Sequence, residues 1–352
     1  MPAPERVPEV GLSTGTDPRT GTAGPAGTAG TAGAARPAVG LRTDPAGGSG
    51  TPAADPRDLA ALRHGELTVR GQIRDASNAV LLCESTHQGH TVVCVYKPVR
   101  GERPLWDFPD GTLAQREVAA YLVSEATGWG LVPPTVLRDG PYGEGMVQLW
   151  IESADEDGDG EDAENGDSED GDGDGGGSAD DAEGDDGDLA AGGAGALLAL
   201  TEDTEPAPGW KAVVRAELEG GGTALLVHAD DPRLRRLAVL DAVVNNADRK
   251  GGHLLVSADG RLHGIDHGVT FHTDDKLRTL LWGWAGEPLP AEATDVLGRL
   301  AGDLSGPLGD RLGELLTPAE TAALRARVDR LLDTGVHPSP SGEWPAIPWP
   351  PV

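Results

Sequence analysis

An acidic, glycine-rich tract interrupts the chain and limits where a folded body can form. Residues 152–188 contain nineteen Asp and Glu residues and no Lys or Arg. Like charges repel along such a tract, and it offers no apolar face to bury. We therefore predict a disordered insertion over 154–195. Calcium binding by its DGDGED stretches is an alternative, but the spacing of a calcium-binding loop is incomplete.

The first 60 residues form a second segment that we expect to be disordered. They are rich in Gly, Ala, Thr and Pro and contain almost no large apolar residue. Such a segment cannot bury enough surface to offset the entropy lost on ordering. The folded body then consists of two parts, 61–153 and 196–335. A Pro- and Trp-rich tail over 336–352 follows, which we expect to be extended.

Composition excludes several classes of partner and compartment. The formal net charge is −30, of which the acidic tract supplies most, leaving −11 elsewhere. A net negative protein does not attract nucleic acid or anionic lipid, so we predict no nucleic-acid partner and at most peripheral membrane contact. No stretch is apolar enough to span a bilayer or to act as a secretory leader, which predicts a cytoplasmic protein. Cys83 and Cys94 lack CxxC spacing and are expected to be buried thiols near a hairpin turn.

Strand-like patterns dominate the first part of the body. ELTVRGQI, NAVLLCES and HTVVCVYK each predict a strand, and a turn near Gly89 joins the last two. Thr112 and Gln115 form a capping box that begins a helix, and Gly128 ends it. The segments TVLRDG and GMVQLWIE predict two further strands.

Helical patterns dominate the second part. Asp231 and Pro232 begin a helix, and HLLVS with RLHGI forms a hairpin. Residues 290–334 are predicted to be helical, with a second capping box that begins at Thr317. The stretch 210–227 fits neither pattern clearly. Strands first and helices later predict an α+β protein of two lobes with a cleft between them.

Two aspartates on either side of the predicted hairpin carry the candidate chemistry. Asp248 lies in the polar loop NNADRK after a helix, and Asp266 lies in GIDHG after a strand. A single aspartate in a turn is usually structural, because its side chain bonds nearby backbone. Lys250 and His253 lie close by in sequence, and the group suits phosphotransfer. One carboxylate would orient the attacking hydroxyl, and the other would hold a metal on the nucleotide phosphates.

Lys97 is a candidate for binding those phosphates. It ends a strand and shares one face with Val93 and Val95, which directs it inward. A buried lysine needs an anion, and either a nucleotide phosphate or Glu117 in the next helix could provide one. The alternative is an ordinary lysine at a strand end, exposed to solvent.

Two other segments are candidates for contacting the nucleotide. The apolar strand MVQLWIE could present its backbone to an adenine ring, or it could be plain core. The polar turn ASN between two strands could cover phosphates, although it is not glycine-rich. The residues concerned are Gln148, Leu149 and Trp150 in the strand, and Ser77 and Asn78 in the turn.

Together these motifs resemble the phosphatidylinositol 3- and 4-kinase superfamily, most closely its type II phosphatidylinositol 4-kinase branch and an actinobacterial group of phosphatidylinositol kinase-like proteins. The stretches that carry the resemblance occur in the family's order: VCVYKP, REVAAYLVSEATGWGLVPPTVL, GMVQLWIE, LAVLDAVVNNADRKGGHLLV and GIDHGVTF. The resemblance implies a protein-kinase-like fold with a small β-rich N-lobe and a larger helical C-lobe. It also implies ATP and Mg²⁺ as cofactors, and transfer of the γ-phosphate to a hydroxyl of a phosphoinositide or related alcohol.

The resemblance also implies a role for each candidate. Lys97 would contact the α- and β-phosphates, and Glu117 would brace it. Asp248 would be the catalytic aspartate and Asp266 the magnesium ligand. Lys250 would stabilise the phosphoryl group in transfer, and the MVQLWIE strand would be the adenine-binding hinge.

His253 is a departure from the family pattern, which has Asn as a second metal ligand at this position. Magnesium prefers oxygen ligands, so an imidazole is a poor replacement. Three alternatives follow: a single metal, contact between His253 and phosphate, or lost activity. A protein or small-molecule kinase on the same fold, and a nucleotide-binding pseudokinase that acts as an interaction module, therefore stay open beside the lipid kinase.

Overall fold

A computed structural model describes residues 54–73, 78–153, 197–217 and 222–351. The acidic insertion over 154–195 and the tail up to residue 53 lie outside this part of the chain. The predictions of disorder, and the calcium alternative, therefore stay predictions for those segments.

A five-stranded antiparallel sheet forms the first part of the body. Its order is β1-β2-β3-β5-β4. The strands are β1 (Glu66–Ile73), β2 (Val80–His87), β3 (His90–Pro98), β4 (Thr135–Gly140) and β5 (Gly143–Leu149). Gln88 and Gly89 turn the chain between β2 and β3, both with positive φ, as a tight hairpin requires. Cys83 pairs with Cys94 across these strands, and both are buried free thiols.

Helix α1 (Pro56–His64) covers one face of this sheet. Its presence corrects the prediction that the disordered tail extends to residue 60. Asp55 accepts a hydrogen bond from the backbone N of Arg57 at 2.8 Å, and Pro56 occupies the first turn. Both features favour a helix start. Leu62 is fully buried in a cluster with β3, so packing on the sheet adds to the local signals that favour this helix.

Helix α2 (Leu113–Thr127) packs on the sheet face that carries Lys97. The predicted capping box of Thr112 and Gln115 is present, and Gly128 ends the helix in a left-handed conformation. Val118 of α2 packs with Met146 of β5, and Met146 lies directly opposite Lys97 in the β3–β5 pair. Directly paired residues project from the same face of a sheet. This packing brings Glu117 of α2 close to Lys97.

The second part of the body begins with a small sheet and continues with helices. The ambiguous stretch forms β7 and most of β8, within an antiparallel sheet of order β6-β8-β7. Strand β8 is buried along most of its length, so it lacks the alternation that identifies a strand. The elements are β6 (Leu198–Thr201), β7 (Trp210–Glu217), β8 (Thr223–Ala229), α3 (Pro232–Val244), β9 (Leu254–Val256), β10 (Leu262–Gly264), α4 (Ala291–Asp303), α5 (Pro307–Gly313) and α6 (Pro318–Thr334).

The helices of this second part surround one apolar core. Leu237 and Leu240 of α3 and Leu324 and Val328 of α6 are fully buried in it, together with residues of α2. The predicted α+β architecture, β-rich first and helical later, is confirmed. Among the described residues, no helix combines the length and apolarity that a membrane span needs.

Candidate active site

Lys97 joins the two parts of the body. Its Nζ donates to Oε1 of Glu117 at 2.8 Å and to Oδ1 of Asp266 at 2.9 Å. Burial disfavours the charge of Lys97, but the two carboxylates outweigh that effect and raise its pKa. Lys97 is therefore a fixed cation between two acids, not the solvent-exposed strand-end lysine of the alternative interpretation.

Glu117 connects this lysine to the segment that follows Asp266. Its side chain is only 2% exposed, and its Oε2 accepts a hydrogen bond from the backbone N of His267 at 3.0 Å. Burial raises the pKa of Glu117, while Lys97 acts in the opposite direction. The neighbouring Arg116 donates to the carbonyl of Thr270 at 2.7 Å. Helix α2 is thus docked on residues 267–270 through two consecutive side chains.

Asp266 holds its carboxylate beside Lys97 from an unusual backbone conformation. Its φ is +58°, in the left-handed region that non-glycine residues rarely adopt. The charge of Lys97 holds the pKa of Asp266 well below its usual range, against the effect of burial. The side chain remains about half exposed. It is therefore an ionised carboxylate accessible to a ligand.

Asp248 and Lys250 form the other side of the candidate site. The backbone N of Asp248 donates to Oδ1 of Asn246 at 2.9 Å, so the side chain of Asn246 stabilises the turn. The carboxylate of Asp248 is therefore not needed for that structural role. That carboxylate lies 3.4 Å from Nζ of Lys250. Burial raises the pKa of Asp248; Lys250 acts in the opposite direction, and the charge of Asp266 adds to the rise. A carboxylate with a raised pKa is a better proton acceptor.

A buried ion pair holds the loops of the two aspartates together. Arg249 is 0% exposed, and it donates from Nε and from its second terminal nitrogen to the two carboxylate oxygens of Asp241, at 2.9 and 3.0 Å. It also donates to the carbonyl of Ile265 at 2.9 Å. The loop of Asp248 is therefore fixed to the residue before Asp266. The sequence patterns did not predict this pair. Asp241 lies among the apolar residues of α3, and a carboxylate in such a position indicates a buried cationic partner.

Replacing Asp241 by alanine should destabilise the fold strongly. The change leaves the guanidinium of Arg249 buried without its counter-charge, which typically costs about 3–5 kcal/mol. Urea unfolding of the variant measures the loss. Asp295→Ala, which removes an exposed carboxylate from α4, is the matched control. A loss below about 1 kcal/mol, the size typical of an exposed pair, would contradict the assignment.

His253, the predicted second metal ligand, lies beside Asp266. Its Nε2 is 3.5 Å from Oδ2 of Asp266, and its Nδ1 faces the backbone N–H of Lys250 at 3.5 Å. A neutral imidazole whose Nδ1 faces a donor carries its proton on Nε2. Burial lowers the pKa of His253 to about 4, so the ring is neutral near pH 7. Nε2 therefore points an N–H group, not a lone pair, toward the acid.

The carboxylates of the site fit magnesium better than His253 does. Within the described ranges, no three His, Cys, Asp or Glu side chains already converge as a metal site. Magnesium does not require such a cluster, because one or two carboxylates, nucleotide phosphates and water complete its shell. Asp266, with Asp248 nearby, provides carboxylates of this kind. The carboxylates of this site are compatible with one magnesium ion.

Stability should fall as the pH drops from about 6.5 toward about 4. Burial lowers the pKa of His253, His263 and His337 from 6.5 to about 4, so the native state keeps all three neutral in this window. In the unfolded chain the same histidines bind protons between about pH 6.5 and about pH 4, so lowering the pH in this window favours unfolding. Urea midpoints measured at about pH 7 and about pH 5.5 test the sign. His253→Asn should reduce the dependence, and equal midpoints in the unmodified protein would contradict it.

The predicted hinge uses its backbone donors within the sheet. The N of Leu149 donates to the carbonyl of Pro134 at 2.9 Å, and the N of Trp150 donates to Val93 at 3.0 Å. The side chain of Gln148 is buried and donates to Oγ1 of Thr135 at 2.8 Å. These N–H groups are not available to an adenine ring.

Asn78, another predicted nucleotide contact, is already hydrogen-bonded, and a large cavity is lined by residues other than those of this site. Oδ1 of Asn78 accepts from the backbone N of Arg103 at 3.0 Å, and Ser77 lies outside the described residues. A cavity of about 1030 Å³ borders the hinge and the β9–β10 turn, but Lys97, Asp248 and Asp266 do not line it. We locate the candidate site by the acidic and basic side chains, because a cavity without them has no phosphotransfer chemistry.

Comparison with known proteins gives one close relative. No family model matches the chain. Protein Rv2133c of Mycobacterium tuberculosis is 49% identical over 291 residues, which are 83% of this chain and 94% of the relative. The chain belongs to the family of Rv2133c. The match spans nearly the whole length of the relative.

Two solved kinase structures are distantly similar. The Golgi casein kinase is 13% identical with a TM-score of 0.38, over 79% of this chain and 73% of that one. The Helicobacter pylori proinflammatory kinase CtkA is 9% identical with a TM-score of 0.36, over 78% and 94%. Likeness at these TM-scores does not assign chemistry to the site of this chain.

Proposed function

We propose that this protein is an ATP- and Mg²⁺-dependent phosphotransferase that transfers the γ-phosphate of ATP to an alcohol hydroxyl. The observation that supports this proposal best is Lys97, whose ammonium is shared between Glu117 at 2.8 Å and Asp266 at 2.9 Å. Protein kinases need this set of groups: a lysine for the phosphates, a glutamate that positions it, and an aspartate for the metal.

Asp248 acts on the acceptor in this proposal. Its carboxylate accepts the hydroxyl proton while the hydroxyl oxygen bonds to the γ-phosphorus, and the bond from that phosphorus to the bridging oxygen breaks to release ADP. Burial, which raises the pKa of Asp248, makes it a better base. Lys250, 3.4 Å from Asp248, offsets negative charge on the group in transfer.

Lys97 exchanges partners when the nucleotide binds. Its ammonium keeps Glu117, which is buried and also accepts from His267, and it turns from Asp266 to the phosphates. The carboxylate of Asp266 then becomes available for magnesium. The bound metal would neutralise charge on the phosphates. Glu117 is a positioning residue here, because it acts through Lys97.

A phosphoinositide or related alcohol is the acceptor that the motif resemblance favours. Radiolabelled ATP should be incubated with the purified protein and three acceptors: a lipid extract, a soluble extract and the protein itself. We expect label in the lipid fraction, and flotation with vesicles that contain phosphatidylinositol should carry the protein upward. Label only in soluble material, without flotation, would identify a protein or small-molecule kinase instead.

His253 supports a second candidate, a nucleotide-binding pseudokinase that acts as an interaction module. The ring is neutral and presents an N–H group where a second metal ligand belongs by resemblance. This candidate predicts ATP binding without transfer to any of the three acceptors. His253→Asn restores an oxygen ligand, so a gain of transfer activity in that variant would identify His253 as the cause.

A further inference from the structure

Arg327 of α6 is a buried cation without a counter-anion in the described part of the chain. Only 5% of the residue is exposed. Its Nε donates to the carbonyl of Val243 at 2.9 Å, and one terminal nitrogen donates to the carbonyl of His272 at 3.0 Å. The other terminal nitrogen is buried and has no hydrogen-bond partner among the described residues. Two neutral carbonyls do not balance a full positive charge.

This arrangement is unfavourable unless an anion completes it. A buried charge is normally paired, and a buried donor without a partner costs free energy. Arg330, three residues along the same helix, adds a like charge. Burial first, and Arg330 second, lower the pKa of Arg327 to about 10. The guanidinium nevertheless stays protonated near pH 7, so the charge persists.

A cavity of about 310 Å³ lies against this arginine. Its lining combines apolar side chains with cationic and hydrogen-bonding ones, the latter being Arg327, Arg330, Thr334, His337 and Ser339. Nε2 of His337 accepts from Arg235, which leaves its Nδ1 as a donor.

One acidic residue borders the same cavity and does not complete the site. Asp275 is exposed, and within the described residues it forms no ion pair with Arg327 or Arg330. Its charge raises the pKa of Arg327, but less than burial and Arg330 lower it. The two arginines therefore leave the cavity with an excess of positive charge.

We propose that this cavity binds a phosphate-class anion: inorganic phosphate, or the phosphoryl group of a small molecule or side chain. Guanidinium groups bind such oxyanions with two parallel hydrogen bonds. The exposed Arg330 lines the cavity beside Arg327, and one terminal nitrogen of Arg327 has no hydrogen-bond partner among the described residues. The site is separate from the active site and does not depend on the proposed function. Arg327 donates to the carbonyls of Val243, which precedes the loop of Asp248, and of His272, which follows Asp266. An anion bound to Arg327 would therefore be linked to both of these segments.

Titration with inorganic phosphate, at constant ionic strength with chloride as the reference, tests the proposal by calorimetry. We expect saturable binding that weakens at least about fivefold in Arg330→Gln, since one charge-assisted contact is lost. Arg330 is exposed, so this variant should fold. Arg299→Gln, an equal loss of exposed charge on α4, should bind like the unmodified protein. Lys97→Met should also retain binding, which separates this cavity from the candidate active site.

Other anions identify the source of the phosphoryl group. O-phosphoserine that binds more tightly than phosphate would indicate a phosphorylated side chain, and the reverse order would indicate the free ion. Acetate should bind at least about tenfold more weakly, since it has fewer oxygens for two arginines. Three results would each overturn the proposal: no saturable phosphate binding, unchanged affinity in Arg330→Gln, or acetate that binds as well as phosphate.

Discussion

Replacing Asp248 by alanine is expected to lower the turnover of phosphotransfer by about 10²–10⁴-fold, the range that a positioned general base contributes. The carboxylate is the group that can accept the hydroxyl proton, and its pKa is raised by burial. ATP should still bind, because Lys97 and Asp266 are unchanged. Steady-state transfer rates and nucleotide affinity, measured on the same preparations, separate the two effects.

Two further variants make this prediction specific to the carboxylate of Asp248. Asp248→Asn keeps the size of the side chain and removes its basicity, so it should lose nearly as much activity as alanine. Asp139→Ala removes an exposed carboxylate at the end of β4 and should retain full activity. Activity within about threefold of the unmodified protein in Asp248→Asn would exclude a general-base role.

Replacing Asp266 by alanine is expected to remove the magnesium dependence of ATP binding. In the unmodified protein, magnesium should tighten ATP binding by about tenfold or more, equivalent to about 1.4 kcal/mol. The variant loses the ionised carboxylate that would hold the metal, and Lys97 loses one of its two partners. ATP titrations with and without magnesium measure the effect directly.

The control for Asp266 comes from the same segment. Asp274→Ala removes a carboxylate that is 67% exposed, eight residues farther along, and should leave the magnesium effect intact. If Asp266→Ala retained the full magnesium effect, another residue would hold the metal and the assignment would be wrong.

Local patterns predicted much of the fold, because their physics is local. The capping boxes at Thr112 and Thr317 and the proline start at Pro232 are each present where the sequence placed them. The strands of the first sheet followed from alternation and from turn residues such as Gly89. These features depend on neighbours within a few residues, so one sequence contains the information.

Long-range packing explains what local patterns missed. Helix α1 is stable because Leu62 packs on a sheet formed later in the chain, and β8 is hidden because both of its faces are buried. The pair of Arg249 and Asp241 joins a loop to a helix, and although an aspartate on an apolar helix face is a signal, the sequence does not say which cation it meets. Such contacts become visible only when the elements are assembled in space.

The candidate site shows the same division. Motif spacing and the family resemblance predicted Lys97, Glu117, Asp248 and Asp266 as site residues. In the structure Lys97 bonds to Glu117 and Asp266, and the charge of Asp266 acts on Asp248. The backbone donors of the hinge could not be assigned in this way. Pairing of β5 with its neighbours determines which N–H groups are free, and it removes those of Leu149 and Trp150.

Transfer of radiolabel from γ-labelled ATP, by the unmodified protein and by Asp248→Ala side by side, tests the central claim most directly. We predict that label reaches an acceptor hydroxyl only with magnesium present and that the variant loses this label while it still binds ATP. Label of equal intensity in both proteins, or no ATP binding by either, would contradict a phosphotransfer site built on Lys97, Asp248 and Asp266.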